Sequence, residues 1–142
     1  MNRHSPLIII LLGLLLLFPV LAQADTAVIV HRDNNNPIDE AFIQKAFLGA
    51  VGRWPSRGNI VVVELPENSP ETKNIYNRLL HRTPAAVRDI WAANYFTGKA
   101  SPPKQGATDE EVRRLVAGNK NAIGYINAGA VDSSVKVVHT IR

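Results

Sequence analysis

Few residues of this 142-residue chain have the type and spacing to do chemistry, and the ones that do gather at the start of one helix. Ser69 stands directly before Pro70 and just after the apolar run at residues 60–63 (IVVV). A serine there caps a helix. The free N–H groups and partial positive charge of a helix N-terminus can seat an anion where an α/β sheet ends its strands. With its neighbours it gives a candidate anion-binding set of Asn68, Ser69 and Thr72. Local charge opposes this chemistry, since Glu67 and Glu71 flank the turn and Pro70 lacks an N–H. Plain helix capping is the competing reading of the same residues.

Other chemistries find no support. The sequence has no cysteine, which excludes a disulfide scaffold, a thiol nucleophile and an iron–sulfur site. His31, His81 and His139 have no spacing that would place two on one helical face, so neither a metal nor a cofactor is expected. There is no G-x-S-x-G, no S-x-x-K and no phosphate loop, and the chain is read as non-enzymatic. The acidic run Asp109-Glu110-Glu111 is accounted for by a helix N-terminus. Gly49 and Gly52, followed by Arg53, Trp54 and Arg57, have the spacing of a nucleic-acid backbone clamp. A net charge of +4, with no basic stripe, argues instead for a solvated loop whose Trp54 packs on the domain, and no nucleic-acid partner is expected.

The elements that must position this turn follow a leader. Residues 1–6 carry Arg3, residues 7–22 are apolar throughout, and Ala22-Gln23-Ala24 places small residues two apart. This is the pattern of a secretory signal peptide over residues 1–24, cleaved after Ala24, and it puts residues 25–142 in the periplasm as a single domain, free of the membrane. Removing the leader removes one basic residue, Arg3, and no acid, leaving a net charge of +3.

Four stretches of the remaining chain read as short strands: residues 27–31 (AVIVH), 60–64 (IVVVE), 122–126 (AIGYI) and 135–139 (VKVVH). The first two are apolar without alternation, as in strands covered on both faces, and the last alternates like an edge. Between them the sequence predicts four helices. Three open on a capping side chain followed by proline, at Asn36-Pro37, Ser69-Pro70 and Thr83-Pro84, and the fourth opens on a capping box from Thr108 to Glu111. Their buried stripes are expected to include Phe42, Ala46 and Phe47; Ile75, Tyr76, Leu79 and Leu80; Val87, Ile90, Trp91 and Tyr95; and Val112, Leu115 and Val116. The order implies an α/β three-layer sandwich with a mostly parallel sheet of about four strands and helices on both faces. One long loop, marked by Gly98, Pro102-Pro103 and Gly106, separates the third and fourth helices.

Four stretches in this order resemble the substrate-binding protein family of phosphate ABC transporters, which has the type 2 periplasmic binding protein fold. They are Ala46-Phe47-Leu48-Gly49 with Trp54 and the run at 60–63; Trp91; Tyr95-Phe96-Thr97-Gly98-Lys99 with Pro103; and residues 112–116 followed by Ala122-Ile123-Gly124-Tyr125-Ile126. The resemblance implies a periplasmic receptor that captures phosphate or a similar oxyanion between two lobes and hands it to a membrane transporter. It covers the second lobe only, so this chain is similar to a short, single-lobe member. Where the family carries an arginine and a G-S-G-T turn, this chain has Glu64 and Asn68-Ser69-Pro70-Glu71, of which Ser69 alone matches. The resemblance therefore implies weak anion binding, or binding completed by a second copy or another protein, because a buried dianion needs several charge-assisted donors. The alternative is a periplasmic interaction or sensory accessory module that docks on a sensor or transporter and keeps the lobe as a scaffold.

Overall fold

The computed structural model describes residues 25–142, and the leader expected over residues 1–24 lies outside them. Among the described residues, five strands form one sheet in the order β3-β2-β4-β1-β5. They are β1 (Thr26–His31), β2 (Val61–Glu64), β3 (Lys104–Gln105), β4 (Ala122–Asn127) and β5 (Val135–Ile141). β2 pairs in parallel with β3 and β4, whereas β1 runs antiparallel to both β4 and β5. Four strands thus point one way and β1 opposes them, which keeps the sheet mostly parallel. β3 is the strand the sequence does not announce. It is two exposed polar residues inside the expected loop, carries no apolar pattern, and exists because it adds to the open edge of β2.

Two adjacent residues of β4 account for the three layers. Gly124 faces the helix α4 (Asp109–Ala117) so closely that a Cβ there would lie 3.1 Å from Val112 and 3.2 Å from Val116. Tyr125, pointing to the opposite face, meets Phe47 of α1 (Glu40–Phe47) edge-on at 5.6 Å between ring centroids, and hydrogen-bonds to Thr72 of α2 (Pro70–Asn74). The central strands are buried on both sides, as their unbroken apolar runs require.

α2 continues as a π-helical turn, Ile75–Leu79, that buries Ile75, Tyr76 and Leu79. Ser69 caps α2, Thr83 caps α3 (Pro84–Phe96) and Thr108 caps α4, each by accepting the N–H three residues on, with proline in the first turn of the first two. Glu111 closes the α4 cap by accepting the N–H of Ala107.

Two expectations are corrected. α1 opens on Asp39, not on Asn36-Pro37, because the Asn36 side-chain oxygen is taken by the N–H of Ser56 and its own N–H by Asn34. Tyr95 is not in the buried stripe: it and Phe96 lie in the solvent at the end of α3, while Asn94 turns inward to donate to the Leu48 carbonyl. Trp54 packs on the domain, stacked on Phe42 and donating to the Asn121 carbonyl. Gly49 adopts a left-handed φ of 68° against the Trp91 ring, where any Cβ would lie 2.7 Å from ring carbons.

Candidate functional site

β2 and β3 end side by side, and beyond their carboxyl ends the chain makes two turns that open α2 and α4. Between those helix starts lies an open cleft of about 450 Å³, lined by Leu65, Pro66, Asn68, Ser69, Glu71, Ala107, Thr108 and Asp109. The N-terminal residues of both helices line this space.

Of the three anticipated residues, Asn68 is exposed on the rim, Ser69 is half-buried, and Thr72 lies wholly inside beneath them. Ser69 and Thr72 are brought together. The Ser69 Oγ donates to Thr72 Oγ1 at 2.8 Å and accepts from the Thr72 N–H at 3.2 Å. Thr72 Oγ1 in turn lies 2.7 Å from the Tyr125 hydroxyl and 3.3 Å from the Leu65 carbonyl. The hydroxyls form a closed chain running down into the core. Burial pushes the Tyr125 hydroxyl far above the usual tyrosine range, so it stays protonated and can serve this chain as a donor.

Several polar groups around the cleft are already bonded within the protein. Thr108 Oγ1 takes the Glu111 N–H, and Asp109 Oδ1 takes the Asn127 N–H at 3.1 Å. Glu71 Oε1 accepts from Asn127 Nδ2 at 3.3 Å, so Asn127, at the end of β4, ties both helix starts together. The carboxylates of Glu71 and Asp109 stand where an oxyanion would collect charge from the two helices. Asn127 and Tyr125 were not identifiable from the sequence as parts of this turn. Their bonds to Glu71 and Thr72 span more than fifty residues and leave no local pattern.

Leu65 also lines a second cavity, of about 260 Å³, whose walls include Glu64, Glu67, Tyr76, Arg88, Trp91 and Gln105. Glu64 ends β2 and is 6% exposed. Its Oε1 is shut off from water and has no hydrogen-bond partner. Burial, reinforced by the nearby Glu67 charge, pushes its carboxyl up to about 7 from 4.5. Glu67 itself is held by Arg88, whose Nη1 lies 2.6 and 2.7 Å from its two oxygens. Among the described residues no group of three or more His, Cys, Asp or Glu could hold a metal, and no helix is long and apolar enough to cross a membrane.

No protein-family model matches the chain, and no curated protein matches it by sequence. Solved structures do match. An ABC-type phosphate transport receptor from Vibrio cholerae superposes with a TM-score of 0.64 at 20% identity over 82% of this chain and 47% of the receptor. A putative phosphate ABC transporter substrate-binding protein with bound phosphate, from Clostridium perfringens, gives 0.63 at 24% identity, covering 82% of this chain and 45% of its own. PstS from Borrelia burgdorferi gives 0.59 at 16%, over 80% and 47%. The chain spans just under half the length of each of these proteins. Its fold is that of one lobe of a periplasmic binding protein.

Proposed function

We propose that the chain is an exported, non-enzymatic half-receptor of the oxyanion type. On this reading the leader is removed after Ala24 and residues 25–142 work as one domain in the periplasm. Asn68, Ser69 and Thr72 then form a shallow anion seat that a second chain completes. One observation supports it above the rest: the N-terminal residues of α2 and α4 line one open cleft at the ends of β2 and β3, in a lobe with just under half the length of its solved neighbours. An arriving oxyanion competes for the Ser69 hydroxyl proton and the Thr72 N–H, both already bonded within the turn. It also meets Glu71 and Asp109 on the rim. Affinity of the lobe alone is therefore weak, with a Kd of ~1 mM or more, until a second surface adds donors and excludes water. The completing surface is a second copy of this chain, another binding protein, or a transporter or sensor membrane component.

Calorimetry of the exported protein with phosphate, sulfate and tungstate tests this. A weak, saturable heat with at least one of them, abolished in Ser69→Ala, is the expected result. No heat with any of the three at millimolar concentration removes the ligand-binding part of the reading.

A further inference from the structure

The cavity above Glu64 has a chemistry unlike that of the helix-start cleft. A buried carboxyl oxygen with no partner is rare, because an unsatisfied buried acceptor costs about 1–3 kcal/mol and more when charged. Glu64 has such an oxygen, and its side chain helps line a cavity of about 260 Å³ large enough to admit a small molecule. The cation nearest at hand cannot serve it, since Arg88 is bonded to both oxygens of Glu67. With that pair mutually neutralised, the charge left uncompensated in the cavity is the one Glu64 acquires on losing its proton.

We propose that this cavity binds a small organic ammonium cation, with the charged nitrogen at Glu64 and an apolar body directed along Trp91. Four observations converge on that chemistry. Ionised Glu64 supplies negative potential that the Glu67–Arg88 pair does not cancel, which repels an anion. The Tyr76 and Trp91 rings wall the same cavity, and aromatic rings attract cations. Gln105 and Tyr76 also line the cavity and carry oxygens able to accept from an ammonium group. Trp91 and Pro103 also line an adjoining, almost wholly apolar slot of about 150 Å³ with Ala92, Tyr95 and Pro102, which suits a short hydrocarbon tail. A compact divalent cation fits poorly, because it wants at least six oxygen ligands and no three-acid cluster stands here. The site is separate from the anion cleft and does not depend on it.

Binding releases a proton. Below neutrality Glu64 holds its proton, and an incoming ammonium ion displaces that proton to solvent as the carboxylate–ammonium pair forms. The charged and titratable groups facing Glu64 are Glu67 on the following turn, Tyr76 on the π-helical turn, Arg88 on α3 and Tyr125 on β4. Both tyrosines are pushed up by burial and stay neutral, and Arg88 stays charged, so the proton released is the one on Glu64.

The test uses the exported protein with butylammonium, benzylammonium, tetramethylammonium and, as the anionic counterpart, butyrate. Binding is followed by tryptophan fluorescence, with Trp54 as a second emitter, and by amide shifts. The expected result is saturable binding of the primary ammonium ions at pH 8, at least tenfold weaker at pH 5.5, with proton release at pH 6.5 detected by calorimetry in buffers of different ionisation heat. Glu64→Gln abolishes binding while its circular dichroism stays that of the parent, and the exposed Glu67→Gln, which does not disturb the core, weakens binding several-fold. Absence of ammonium-induced shifts near residues 64, 76, 91 and 105 overturns the proposal. So does binding of butyrate as tight as that of butylammonium, or ammonium binding unchanged in both variants.

Discussion

The two recesses that share Leu65 are built on opposite principles. In the cleft between α2 and α4 most polar side chains are bonded inside the protein: Ser69 with Thr72, Thr72 with Tyr125, Thr108 with Glu111, Asp109 and Glu71 with Asn127. In the neighbouring cavity Glu64 has found none. A site whose donors are already satisfied must have its internal bonds broken by a ligand, which subtracts from affinity. A site with an unpaired buried group offers a ligand that satisfies it the relief of an existing penalty. Position in the fold makes the first recess the proposed anion seat, while the unpaired Glu64 makes the second the proposed site for a ligand of opposite sign.

The sharpest way to break this contrast is to remove the Glu64 charge. In the folded protein its carboxyl titrates near 7 instead of 4.5, so the unfolded chain releases the proton first as pH rises. The stability Glu64 confers is full below about pH 4.5, is lost between about 4.5 and 7, and stays lost above that. Glu64→Gln abolishes this slope. The variant is expected to be more stable than the parent by about 3 kcal/mol at pH 8 and little different at pH 4, as measured by urea unfolding at each pH. A difference independent of pH would mean that Glu64 is compensated after all.

The self-satisfied cleft is tested from beneath. Thr72→Val keeps the shape of a fully buried side chain but strips the Tyr125 hydroxyl and the Ser69 Oγ of their common partner, and is expected to cost about 2 kcal/mol by the same unfolding measurement. Ser69→Ala removes the cap of α2 and the bond from its hydroxyl to Thr72 Oγ1 but leaves the Thr72–Tyr125 pair, and costs about 1 kcal/mol. If the two losses were equal, the hydroxyl chain into the core would carry no weight beyond the cap. The smallest effect is expected from Glu67→Gln. Its charge helps hold Glu64 up, so the variant lowers the pH at which Glu64 titrates, read by carboxyl NMR, without moving Ser69 or Thr72.

How much of this was legible in the sequence depends on the range of the interaction. The caps at Ser69, Thr83 and Thr108 are local, three-residue signals, and each stands where the sequence puts it. The same logic misplaces the start of α1, because the Asn36 side chain is claimed by Ser56, twenty residues on, and Asp39 takes over the cap. β3 could not be read at all, since Lys104 and Gln105 form a strand only by pairing with β2. At the site, the turn at Asn68 and Ser69 is visible in the chain, whereas its link to Tyr125 and Asn127 needs the folded sheet. Glu64 left one trace, an acid closing an apolar run, but its isolation follows from Arg88 being bound to Glu67 across twenty-one residues.

The claim that matters most is that this lobe offers an oxyanion the helix starts of α2 and α4, but too weakly to hold it alone. Titrating phosphate into the isotope-labelled protein and following backbone amides tests it directly. The account predicts fast-exchange shifts confined to residues 68–72 and 107–109, saturating only in the millimolar range. Amides at those positions that never move, or saturation at micromolar phosphate by the lobe on its own, would contradict it.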